Sequence, residues 1–77
     1  MSVMLISMKL PRLTAKDAIK LVEKKGFVLV RQSDGHRIYR NEKGVRITIP
    51  FHSGKILHPK IIKNIIKDAE LTEEDLE

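Results

Sequence analysis

The sequence predicts an α+β domain of the order α-β-β-β-α: a three-stranded antiparallel sheet with both helices on one face. Three observations lead there. Two stretches with apolar residues at i, i+3, i+4 and i+7 spacing bracket three short β-branched stretches. The strand-like stretches are joined by turns short enough for an antiparallel meander. The length, 77 residues, is that of one small domain, residues 1–77. Such a domain buries only roughly 60% of the surface its unfolded chain exposes. Chemistry must then sit on a surface or at a shared interface.

Residues 1–8, MSVMLISM, carry three methionines and no cap or turn signal. Met8 as the start would make residues 1–7 an N-terminal extension; they could equally add a short strand. Both readings stay open.

LTAKDAIKLVEKKGF reads as the first helix. Thr14 followed by Asp17 makes a capping-box start with an acid near the positive helix end. Ala15, Ala18, Ile19 and Val22 share one face, and Gly26 is a natural C-terminal stop. FVLVRQS, HRIYRN and VRITIP read as three strands. NEKG, residues 41–44, joins the last two, with Gly44 suited to the left-handed position that ends a bulged turn. HPKIIKNIIKDAEL is the second helix, with Pro59 in its first turn. Ile61, Ile62, Ile65, Ile66 and Ala69 lie on one face and Lys60, Lys63 and Lys67 on another. Thr72 with Asp75 begins a short acidic terminal turn. The element order is that of the double-stranded-RNA-binding fold.

Composition narrows the partners. There is no cysteine, which excludes disulfides and thiolate metal sites and fits a cytoplasmic setting. The apolar run Val3–Ile6 is far short of the roughly 20 residues that cross a bilayer, so no membrane association is expected. The net charge is +5, yet residues 70–77 hold five acids and no base. Residues 1–69 therefore carry fifteen bases against five acids, a net of +10. A body that basic favours a polyanion, most simply nucleic acid. The alternative is a basic domain without such a partner.

KLPRLTAKDAIKLVEKKGFVLVRQSDGHRIYR followed by ITIPFHSGKILHPKIIKNIIKDAEL resembles the HicA toxins over residues 8–71. The resemblance rests on the GF after the first helix, the RQ…H loop, the IP…H.GK.L segment and the I..I..DA.L of the second helix, in that order. It implies an endoribonuclease that cleaves messenger RNA without a metal or other cofactor, and a HicB-like antitoxin that covers its active surface. The family's histidine lies in a Gly-Ser-His motif, and His36 is the matching residue. Asp34 and Gly35 stand at the glycine and serine positions, and Lys60-Ile61 replaces a frequent Gly-Thr pair.

His36 suits the proton-transfer role. Cleavage through the RNA 2′-hydroxyl needs a base, an acid and positive charge on the phosphate. An imidazole titrating near pH 6.5 fills either proton role. Arg31, Arg37, Arg40, Arg46 and Lys55 are candidates to hold the phosphate, and Lys60 and Lys63 to contact RNA backbone. His52 is a candidate second proton carrier or phosphate contact. His58 reads as a helix-cap neighbour. No zinc or magnesium site is expected, because no histidine pair has helical ligand spacing and no carboxylate cluster joins it. There is no glycine-rich phosphate loop either. Tyr39 and Phe51 could stack on bases, although Phe27 and Tyr39 are expected in the core.

Register decides whether His36 is accessible. A bulged turn ending at Gly44 pairs Tyr39 with Ile47 and Ile38 with Thr48. His36, Ile38, Arg40, Arg46 and Thr48 then share the open face. A plain two-residue turn shifts the pairing by one and sends His36 beneath the helices. The first register is preferred because it groups base, phosphate clamp and solvent. Two functions remain. One is a toxin endoribonuclease using His36 as general acid or base. The other is a non-catalytic RNA-binding module or inactive relative held by an antitoxin-like partner.

Overall fold

A computed structural model of the chain describes residues 10–52 and 54–76. Residues 1–7, read as an extension or a strand, lie outside the described residues. The described elements are α1 (Ala15–Lys24), β1 (Val28–Ser33), β2 (His36–Arg40), β3 (Arg46–Pro50) and α2 (Pro59–Asp68). The strands form one antiparallel sheet in the order β1-β2-β3. Both helices pack over β3, so the architecture is the expected one, α-β-β-β-α. The shortest dimension, 18 Å, is that of one helical layer on one sheet.

α1 begins where the capping box requires. The Asp17 N–H donates to Thr14 Oγ1 (3.3 Å), and the Thr14 N–H donates to Asp17 Oδ2 (3.0 Å). These bonds hold the Asp17 carboxyl below its ordinary pKa, the Thr14 N–H contributing most. α1 ends in a Schellman motif: the Phe27 N–H reaches the Val22 carbonyl (3.1 Å) and the Gly26 N–H reaches Glu23 (3.0 Å). Gly26 takes the positive φ of 88° that this ending demands. α2 ends the same way, with Leu71 on Ile66 (2.9 Å) and Glu70 on Lys67 (3.2 Å). Here the left-handed residue is Glu70, φ 54°, and not a glycine.

The core lies between the helices and one sheet face. Ala15, Ala18 and Val22 of α1 and Ile62, Ile65 and Ile66 of α2 meet Tyr39, Ile47 and Ile49. Phe27 and Leu71, each following a helix ending, close the cluster. Ile19 and Ile61, expected on the buried faces, are half-buried at their margins. Phe27, expected in the first strand, precedes β1 as the Schellman residue and is fully buried.

The terminal turn docks on α1. Thr72 and Asp75 exchange bonds as a capping box does: the Thr72 N–H donates to Asp75 Oδ2 (2.8 Å) and the Asp75 N–H to Thr72 Oγ1 (3.4 Å). Lys25 Nζ lies 2.9 Å from the same carboxylate oxygen. The Thr72 N–H first, then Lys25, pull the Asp75 pKa from 3.8 to about 2.

Two stability effects follow. A non-glycine residue in the left-handed region costs about 1 kcal/mol. Glu70→Gly removes that strain at some cost in unfolded-chain entropy, so Tm should rise by roughly 2–6 °C. A melting curve no higher than wild type contradicts the account. Asp75 has a folded pKa below its unfolded one, so its stabilisation is present above pH 3.8 and disappears as pH falls through about 2. Asp75→Ala should therefore lower Tm at neutral pH. The gap from wild type should narrow between pH 3.8 and about 2 when circular-dichroism melts are compared. A gap independent of pH would show that the carboxylate charge contributes nothing.

Candidate nucleic-acid interface

The β2–β3 turn sets the face on which each side chain lies. The Gly44 N–H donates to the Asn41 carbonyl (3.0 Å), Gly44 has φ 83°, and the Asn41 side-chain oxygen accepts from the Val45 N–H (2.9 Å). The resulting register pairs Tyr39 with Ile47, Ile38 with Thr48, Arg40 with Arg46 and His36 with Pro50. Tyr39 and Ile47 are buried, and His36, Arg40, Arg46 and Thr48 are exposed on the opposite face.

β1 completes this face. Its pairing places Ser33 opposite His36 and Arg31 opposite Ile38. The register then shifts at Val30, a bulge that leaves Leu29 opposite Tyr39 and Val28 opposite Arg40. Three cross-strand rows result: Ser33–His36–Pro50, Arg31–Ile38–Thr48 and Val28–Arg40–Arg46. Successive rows stand about 7 Å apart. The imidazole thus heads a ladder with Arg31 one row on and a pair of arginines two rows on.

The ring of His36 is oriented by backbone. Its Nδ1 lies 3.1 Å from the Asp34 carbonyl oxygen. A carbonyl only accepts, so Nδ1 carries the proton, and in the neutral ring Nε2 is left with a free lone pair. The orienting group is main chain, so it is the same whichever residue occupies position 34. Gly35, φ 72°, makes the two-residue turn between Ser33 and His36.

A second imidazole lies beside that turn. The Phe51 N–H donates to the Gly35 carbonyl (2.8 Å), and His52 Cε1 lies 3.9 Å from where a Cβ on Gly35 would be. A cavity of about 250 Å³ adjoins it, lined by Thr14, Ala15, Lys16, Phe51, His52 and Gly54. A larger cavity, about 350 Å³, lies at the opposite end beside Lys25, Asn41 and Asp68, away from the histidines.

Both helix N-termini point to the histidine end. The Leu57 N–H donates to the Leu13 carbonyl (2.7 Å) and Thr14 bridges Ile56, which brings the two helix starts together. His58 is itself the cap of α2, its Nδ1 accepting from the Lys60 N–H (3.0 Å). α2 has no acid in its first turn to offset its positive end.

The remaining candidates divide. Arg37 falls on the helix side of β2, half-buried, with its guanidinium 4.0 Å above the Phe51 ring. Lys55 is exposed in the segment after β3. Lys60 and Lys63 are exposed on α2, in the helical layer rather than on the open sheet face. Ser33, opposite His36, was not singled out from sequence. The Asp34-Gly35 pair is a two-residue hairpin signal that would have placed it there. Among the described residues no three His, Cys, Asp or Glu side chains gather as a metal site, and no helix is long and apolar enough to cross a membrane.

A family model described as the HicA toxin of bacterial toxin–antitoxin matches residues 15–71. That span runs from the first residue of α1 to the Leu71 that closes α2, and it contains every strand. No curated protein matches the chain.

Arg40 directly opposite Arg46 is an unfavourable pair, costing roughly 0.2–1 kcal/mol. Arg46→Gln should therefore raise stability by about that amount at low salt, and the gain should shrink as salt screens the pair. Urea melts at two ionic strengths test this. A variant less stable than wild type at low salt contradicts it.

Proposed function

The chain belongs to the HicA toxin family of bacterial toxin–antitoxin systems, and on that premise we propose that it is an endoribonuclease that cleaves messenger RNA with His36 as general acid or base. The observation that carries this reading is the ladder itself. An exposed imidazole with its Nδ1 proton held by the Asp34 carbonyl shares one face with Arg31, Arg40 and Arg46.

The residues divide the work as the chemistry requires. Nε2 of His36 takes the proton from the 2′-hydroxyl, which attacks the adjacent phosphorus. The bond to the 5′-oxygen then breaks, and that oxygen needs a proton. His52, beside Gly35, is the group we assign to supply it, which leaves a 2′,3′-cyclic phosphate. Arg31 meets the phosphate next to the scissile one. Arg40 and Arg46 hold the chain further along, by bidentate contact suited to guanidinium. The N-terminus of α2, with no acid in its first turn, adds positive potential at the same end. Lys55, Lys60 and Lys63 extend the basic surface around the edge of the sheet, whereas Arg37 supports Phe51 and acts by positioning. No step calls for a metal ion. The natural partner of such a toxin is a HicB-like antitoxin that covers the open face.

The Asp34-Gly35 departure from the family's Gly-Ser motif favours the alternative, an RNA-binding module without catalysis. The backbone origin of the His36 hydrogen bond weighs against it, because a glycine at position 34 would offer the same carbonyl.

The deciding experiment incubates purified chain with RNA and chelator. His36→Gln should lower the cleavage rate roughly 10²- to 10⁴-fold while RNA affinity and the melting curve stay near wild type. Equal cleavage by a folded His36→Gln chain removes His36 from the mechanism. Salt-sensitive binding with no cleavage by wild type selects the binding-module reading.

A further inference from the structure

β1 is the strand that the helices leave bare. Both helices pack over β3, and β1 extends beyond them, exposed along its whole length. Val28, Leu29 and Val30 are 61%, 45% and 48% exposed, three consecutive apolar side chains. Among the described residues β2 is the single strand neighbour of β1, so alternate N–H and C=O groups on its outer edge lack a strand partner. Folded proteins normally blunt such an edge with charge, proline, brevity or a bulge, and the bulge at Val30 is the one of these that β1 carries between Val28 and Val30. The Val28–Val30 half has no charge and no proline.

We propose that the outer edge of β1, which has no strand partner among the described residues, is where the antitoxin docks, by adding a strand that is apolar against Val28–Val30 and acidic beside Arg31 and Arg40. The proposal rests on the family reading for the partner's existence and is independent of the cleavage mechanism. Charge selects the occupant. Residues 1–69 carry a net of +10, so a second copy would bring the same positive field to the seam, whereas an acidic chain is attracted to it. Main-chain bonds along the edge supply affinity and the alternating side chains supply specificity. An added strand lies about 4.8 Å beyond β1, and half its side chains fall on the face of Arg31, Ser33 and His36. Docking there extends the sheet and closes the RNA face from the side.

The probe is the protein encoded by the neighbouring reading frame, titrated calorimetrically into His36→Gln chain, so that docking is read whether or not the chain cleaves RNA. Val28→Thr with Val30→Thr keeps strand propensity and should weaken binding about 10-fold. Val28→Asp with Val30→Asp should weaken it about 100-fold or more. In an otherwise wild-type chain the threonine pair, which adds no charge beside Arg40, should leave RNA cleavage unchanged. In the saturated wild-type complex the β1 amides should become protected from hydrogen exchange. Unchanged affinity in the folded threonine pair, or β1 amides that exchange freely in the complex, overturns the proposal. So does a chain that dimerises alone, is split by the aspartate pair and keeps its affinity for the neighbour, because the edge then belongs to a second copy. A neighbour that fails to bind wild type removes the partner reading and this proposal together.

Discussion

The pairing of Tyr39 with Ile47 is the constraint on which the rest of the molecule depends. Side chains alternate across a strand, so this one pair assigns every neighbour on β2 and β3 to a face. Tyr39, Ile47 and Ile49 become the floor of the core, and His36, Arg40, Arg46 and Thr48 are turned to solvent. The register is held at its closed end by four residues, Asn41–Gly44, with the asparagine bonded through both backbone and side chain. A slip of one position would turn one strand over, burying either His36 and Arg40 or Arg46 and Thr48 and exposing that strand's core side chains.

The helices cover too little to sheathe the whole sheet. Each is 10 residues long, and both sit over β3. Two helices of that length bury one face of the β2–β3 hairpin and leave β1 exposed along its length. The thin core is thus the reason for both an open basic face and an apolar edge that the helices leave bare. A larger domain would cover such an edge with another layer. Here the surfaces left uncovered are those on which an RNA-cleaving protein with a protein inhibitor would depend.

Electrostatics follows the same asymmetry. Two arginines directly opposite one another, and an α2 N-terminus with no acid in its first turn, are unfavourable for a chain considered alone. A phosphate chain along the face would reverse the sign of each contribution. The acidic terminal turn lies at the other end, where Asp75 bonds to Lys25 beside α1.

Much of this was legible in the residues alone. The capping box at Thr14, the glycine stop at Gly26, the isoleucine face of α2 and the bulged turn at Gly44 are local devices, each encoded within a few positions, and together they imply the element order and the face of His36. Tertiary structure decided what local pattern cannot carry. Arg37 lies within the basic stretch but alternates onto the helix side and stacks on Phe51, a residue 14 positions away. His52 reaches the Gly35 turn because the segment after β3 bonds back to it. The bulge at Val30 and the bareness of β1 depend on where the helices end, which is a matter of length and packing rather than of any motif within VLVRQS. Local chemistry therefore specified the elements and their faces, and contacts between distant segments selected which charged groups share a surface, because only the packed chain determines which faces remain uncovered.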